Sequence, residues 1–170
     1  MTASTFDPIE ILRVLSRAEV KFVVVGGYAA ELLGAPLMTM DLDVCYERSA
    51  ENMDRLASAL RQLGAKLRVA KVDEDLPFIL DGRTLAAGDS FTFSTDLGSL
   101  DVLGTPSGTK GFRDLVSSAT AVPVADDLSV RVVALADLMR MKRASARVKD
   151  KMHLEVLAAL QEMLEQTPPT

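Results

Sequence analysis

The sequence predicts an α+β protein: a mixed, mainly antiparallel sheet with helices packed on it, plus C-terminal helices. Three observations carry this. Residues 22–25, Phe-Val-Val-Val, form a wholly apolar, β-branched run that stops at Gly26-Gly27, as a buried strand does. Residues 90–94 and 99–103 are strand-like and separated by Asp96-Leu97-Gly98, a turn signature that demands antiparallel neighbours and so excludes a doubly wound parallel sheet. Residues 134–145 and 148–166 read as two closing helices ahead of a Pro-Pro tail.

Taken in order, Asp7-Pro8 followed by Ile9, Ile11, Leu12, Val14 and Leu15 reads as an N-cap, a proline at the first helical position and an amphipathic helix. After the first strand, residues 28–33 have helical composition and end at Gly34-Ala35-Pro36. Residues 40–46 alternate apolar and acidic side chains, so Asp41 and Asp43 project from one face of a strand. Residues 50–63 carry Met53, Leu56, Ala57, Leu60 and Leu63 at helical spacing, Gly64 stops them, and 67–72 reads as the next strand. The stretch 73–88 is turn-rich and receives no element. Asp101 sits mid-way along the second hairpin strand. Residues 104–111 have the most flexible composition in the chain, 112–118 reads as helix and 122–124 as extended. No repeat or long linker intervenes, so 1–170 is expected to be one domain, with a sheet core over about 20–125 and a helical part over about 133–166.

Composition narrows the function classes. With 48% hydrophobic and 25% charged residues the chain matches a globular protein and not a disordered or disulfide-scaffold one. Cys45 is the only cysteine and His153 the only histidine, so neither an internal disulfide nor a zinc cluster is expected. A basic leader and an apolar run near the ~20 residues of a membrane span are both missing, which predicts a cytoplasmic protein with no membrane partner. The net charge of −5 argues against a surface built throughout for nucleic acid. That average hides one cationic element: Arg131, Arg140, Lys142, Arg143, Arg147, Lys149 and Lys151 face only Asp137 and Asp150 between residues 131 and 151. It is either a solvated helix face or a place where an anionic ligand gains contacts and steering.

The constellation that carries chemistry is Gly26-Gly27, then Asp41-Leu42-Asp43, with Asp101 on a later strand. In a chain of this composition, Gly-Gly followed at such a spacing by Asp-x-Asp arises by chance about 0.02 times. Asp41 and Asp43 lie about 7 Å apart at Cα on one strand face, and two carboxylates that close raise one another's pKa unless a cation compensates them. Hard oxygen ligands without histidine or thiolate favour Mg²⁺. If Asp101 converges on the other two, the trio can hold two metal ions around a transferring phosphoryl group. A strand that turns into a helix over two glycines lets backbone N–H groups approach a polyphosphate.

On these residues the chain resembles the nucleotidyltransferase superfamily with the DNA polymerase β-type catalytic fold, in which an apolar strand, Gly-Gly or Gly-Ser, a short helix and Asp-x-Asp precede a third acidic residue. Val24-Val25-Gly26-Gly27, Asp41-Leu42-Asp43 and Asp101 stand in those places. It is most similar to the small bacterial enzymes grouped with the AbiEii and MenT toxins, whose Asp-x-x-x-x-Lys helix and Arg-x-Lys-Asp segment match Asp137 to Lys142 and Arg147 to Asp150. Relatives often carry cations before Asp-x-Asp, whereas this chain has Pro36-Leu37-Met38-Thr39-Met40.

The resemblance implies a polymerase β-like nucleotidyltransferase core that moves a nucleoside monophosphate from a nucleoside triphosphate (NTP) to an acceptor hydroxyl with two Mg²⁺ ions, or Mn²⁺ in their place. Asp41, Asp43 and Asp101 would be catalytic and bind metal, with Asp101 as general base. Gly26, Gly27 and Lys142 would bind the nucleotide, with Asp137 and Asp150 in support. Lys110, Arg143, Arg147 and Lys149 are candidates for acceptor contact. The acceptor would be tRNA, a protein or a small molecule, and a toxin role would add a cognate antitoxin as partner. The alternative is a non-catalytic module of the same fold that docks a partner protein.

Overall fold

The computed structural model describes residues 5–69 and 78–166. Its elements are α1 (Pro8–Arg17), β1 (Phe22–Val25), α2 (Gly26–Leu32), β2 (Asp41–Tyr46), α3 (Ala50–Gln62), β3 (Lys66–Leu67), α4 (Gly82–Ala87), β4 (Ser90–Thr95), β5 (Gly98–Leu103), α5 (Phe112–Val116), β6 (Thr120–Ala125), β7 (Leu128–Val132), α6 (Leu135–Ser145) and α7 (Val148–Gln166). Among the described residues seven strands form one sheet in the order β3-β4-β5-β2-β1-β7-β6. The β1–β7 and β2–β5 pairs are parallel and the others antiparallel, so the architecture is the predicted α+β one with a mixed, mainly antiparallel sheet. Among the described residues no helix is long and apolar enough to cross a membrane.

Local signals act where expected. Asp7 caps α1 by accepting from Glu10 N at 3.0 Å, and Ser49, which was not predicted as a cap, caps α3 by accepting from Asn52 N at 3.2 Å. Three expectations change. The strand expected at 67–72 is the short β3, and residues 70–72 lie outside the described region. The turn-rich stretch contains α4, started by the Asp81 side chain, which accepts from Thr84 N at 2.8 Å. The second strand of a terminal hairpin, β7, was not predicted; it pairs with β6 on one side and β1 on the other.

The central strands have two chemically different faces. Leu42 and Val44 of β2 lie beside Leu100 and Val102 of β5, and all four are fully buried in the core. The opposite face of the same strands carries Asp41, Asp43 and Cys45 beside Ser99, Asp101 and Leu103. Buried Asn52 ties the start of β1 to the end of β2: it accepts from Lys21 N at 2.7 Å and donates to Lys21 O at 3.1 Å and Glu47 O at 2.7 Å. Each polar group of that buried side chain is therefore partnered.

Candidate active site

Because β2 and β5 run parallel in this register, Asp43 and Asp101 are direct neighbours across the sheet. Both are only partly exposed, while Asp41, two residues earlier at the start of β2, is exposed. Oδ1 of Asp43 and Oδ1 of Asp101 are buried without a hydrogen-bond partner; His153 Nδ1 on α7 is the one other such side-chain atom among the described residues. Burial first, then the Asp101 carboxyl group and the Asp41 charge, push the Asp43 carboxyl up to about 7, and Lys142 pulls the other way. Two adjacent, partly desolvated carboxyls with orphaned oxygens form a site that a cation would stabilise.

The residues fit a hard cation in donor chemistry, since the pair offers oxygen alone. Among the described residues no group of three His, Cys, Asp or Glu side chains is gathered closely enough to enclose an ion. Asp43 and Asp101 are thus the assembled part of the predicted trio, with Asp41 at its open side.

Gly26 explains how the pair is accommodated. It adopts φ +71°, and a Cβ there would sit 2.0 Å from Asp43 Oδ2. Gly27 has another function: its missing Cβ makes room for Thr39, whose Cβ would be 3.2 Å away. Thr39 Oγ1 in turn accepts from Asp41 N at 3.2 Å and fixes the approach to β2. Gly26→Ala is expected to cost about 1–2 kcal/mol for the left-handed backbone alone and to displace the Asp43 carboxyl. Urea denaturation measures this, and unchanged stability would contradict the close approach.

Across from Gly26 and Asp43, a cavity of about 230 Å³ is closed by Leu138, Met141, Lys142, Ser145, Arg147 and Asp150 from the α6–α7 region and by Thr105, Pro106 and Ser107 from the loop after β5. A larger cavity, about 610 Å³, lies between Phe22, Phe112 and Val130 and has no carboxylate in its lining, so volume alone does not mark the site. Asp150 organises the far wall. It is fully buried and accepts from Lys142 Nζ at 3.2 Å, Ser145 Oγ at 2.6 Å, Arg147 N at 3.2 Å and Arg147 Nε at 2.9 Å. Burial opposes its ionisation, but these donors and the two cations hold its carboxyl well below the usual carboxylate range.

The remaining expected residues are distributed differently. Asp137 faces away from the cavity lining and binds Arg140 at 3.0 Å and Ser118 Oγ at 2.5 Å. Lys110 lines a separate cavity with Arg48 and Arg113. Arg143 and Lys149 are exposed and outside the lining, whereas Arg147 is part of it. Sequence reasoning missed Thr105, Pro106 and Ser107; the signal was a Gly-bounded segment directly after the Asp101 strand, which composition marked as flexible.

A mixed sheet that sets a carboxylate pair on neighbouring central strands, beside a strand-to-helix turn over two glycines, has the nucleotidyltransferase fold. The chain is similar to the lincosamide antibiotic adenylyltransferase LnuA in its lincomycin-bound crystal structure, with TM-score 0.61 and 12% identity over 93% of this chain and 99% of that one. It is also similar to the antibiotic-resistance factor ANT(2'')-Ia. The solution structure of that protein gives TM-score 0.58 and 15% identity over 92% of this chain and 82% of that one. Its crystal structure with adenylyl-2''-tobramycin gives 0.55 and 15% over 92% and 87%. No protein-family model matches the sequence, and no curated protein sequence does.

Proposed function

We propose that this chain transfers a nucleoside monophosphate from an NTP to a hydroxyl of a small organic acceptor. The observation that carries the reading is the Asp43–Asp101 pair on neighbouring strands, each with a buried unpartnered oxygen, of which Asp43 packs against Gly26 and lines the cavity that Lys142 and Arg147 also line, while Asp101 lies outside that lining. Mg²⁺ held by Asp43 and Asp101, with Asp41 at the open side, would supply the charge neutralisation that phosphoryl chemistry requires. Lys142 and Arg147 bind the β- and γ-phosphates from the opposite wall, oriented by Asp150. Asp101 accepts the acceptor hydroxyl's proton; the new bond forms from that oxygen to the α-phosphorus, and pyrophosphate leaves with the electrons of the broken anhydride bond. Most of the rate comes from positioning and electrostatics.

Two observations favour a small acceptor over tRNA, and with it weaken the toxin reading. Arg140 is engaged by Asp114 and Asp137, and Lys142 and Arg147 are held at the cavity by Asp150, so three of the seven cations of this element are committed within the fold or to the cavity and do not form an open surface for a polyanion. Next to Asp41, where a polyanion would need cations, stand Met38 and Met40, 91% and 61% exposed. The fold shared with the lincosamide antibiotic adenylyltransferase LnuA and the antibiotic-resistance factor ANT(2'')-Ia supports the same class.

Thermal shift with each of the four NTPs, with and without Mg²⁺, tests the reading. A metal-dependent rise in unfolding midpoint with at least one NTP is expected, because a ligand held only by the folded state must stabilise it. Absence of any such rise would favour the non-catalytic docking module. Transfer rates should also change little between low and moderate salt; a steep decline would return tRNA to the front.

A further inference from the structure

Residues 104–111 look flexible by composition, yet the fold pins them at both ends. At the start, Gly104 N donates to Asp89 O at 2.9 Å, and Thr105 N and Oγ1 each donate to the Asp89 carboxylate at 3.1 Å. At the other end Arg140 of α6 reaches out of its helix: Nη1 donates to Gly108 O at 2.9 Å and to Asp114 Oδ2 at 3.1 Å, and Nη2 donates to Asp114 Oδ1 at 3.2 Å and Asp137 Oδ1 at 3.0 Å. Asp114 also accepts from Lys110 N at 2.9 Å. The loop backbone lies flush on α6, since a Cβ at Gly108 would come 2.7 Å from Ala144 Cβ.

Thr105, Pro106 and Ser107, held between these pins, form one wall of the cavity, and Lys142, two residues beyond Arg140, belongs to the other. We propose that Arg140 is a positioning residue for nucleotide binding, setting the Thr105–Ser107 wall against the helix that carries Lys142; this rests on the nucleotidyltransferase reading above. A guanidinium suits the task because its planar fork engages a carboxylate bidentately while its remaining donors reach a carbonyl and a second carboxylate; an ammonium has no such geometry. Each of these pairs is partly solvated, so their effect on stability is small, and their consequence falls on geometry instead.

The experiment compares wild type with Arg140→Ala, Arg140→Lys and Asp114→Asn, the last removing one of Arg140's carboxylate partners while keeping its shape. Three quantities are read: the Kd for whichever of the four Mg–NTP complexes wild type binds most tightly, the unfolding midpoint, and the rate of trypsin cleavage after Lys110. Arg140→Ala and Asp114→Asn are expected to raise Kd about tenfold, below the ~10²-fold that a 1 Å misplacement costs at reacting atoms, with faster cleavage and a nearly unchanged midpoint. Arg140→Lys should restore only part of the affinity. An unchanged Kd in both Arg140→Ala and Asp114→Asn would overturn the inference, as would a Kd that worsens only in step with the unfolding midpoint. Wild type binding none of the four complexes would instead sink the proposed function, a result visible before any substitution is made.

Discussion

Asp101→Asn is expected to lower transfer by a factor on the order of 10³ or more while raising the unfolding midpoint of the cation-free protein. The two effects have one cause. Asp101 sits beside Asp43 in the central sheet, and both carry a buried oxygen with no partner. A neutral amide at 101 removes the like charge that Asp43 faces, which relieves the fold, and on the proposed function it also removes the group that would take the acceptor's proton. Nucleotide binding should survive in large part, because Lys142 and Arg147 are untouched. Calorimetry alongside a transfer assay measures both. Loss of binding equal to the loss of turnover would contradict the assigned role, and a lowered midpoint would mean the pair is structural.

Asp150→Ala should be the most destabilising single change near the site, by about 3–5 kcal/mol, the range found when one member of a buried ion pair is removed. The carboxylate is fully buried and is the shared acceptor for Lys142, Ser145 and Arg147, which joins the end of α6 to the start of α7. Nucleotide affinity should fall with it, since Lys142 and Arg147, the cations proposed to bind the phosphates, lose their orientation. The pH dependence has a definite sign. The folded-state pKa of Asp150 is depressed, so its contribution is fully present above the unfolded value near 3.9 and is lost as pH falls below that toward the folded value. Urea midpoints taken from pH 7 down to pH 3 should therefore show a shallower acid decline in Asp150→Asn than in wild type. Parallel curves would remove Asp150 from this role.

Much of the arrangement was legible in the chain because it depends on local rules. Period-two alternation placed Asp41 and Asp43 on one face of β2, and the apolar run before Gly26-Gly27 marked β1 and its turn. The cap at Asp7 acts through a residue three positions away. What escaped was non-local. β7 is a strand because β6 and β1 pair with it, and neither partner is readable from residues 128–132. Lys110, by sequence a candidate for acceptor contact, lines a different cavity with Arg48 and Arg113.

By itself the sequence determined the fold class, the glycine hinge and the identities of the three aspartates, since strand alternation, turn chemistry and helical spacing are set by neighbours along the chain. Only the tertiary structure decided that Asp43 and Asp101 form the close pair with Asp41 at its open side, that Gly27 packs on Thr39, and that Arg140, Lys142 and Arg147 answer carboxylates of their own chain. Those outcomes depend on strand register and helix docking. Register and docking are fixed by the simultaneous burial of residues far apart in sequence, which no window along the chain contains.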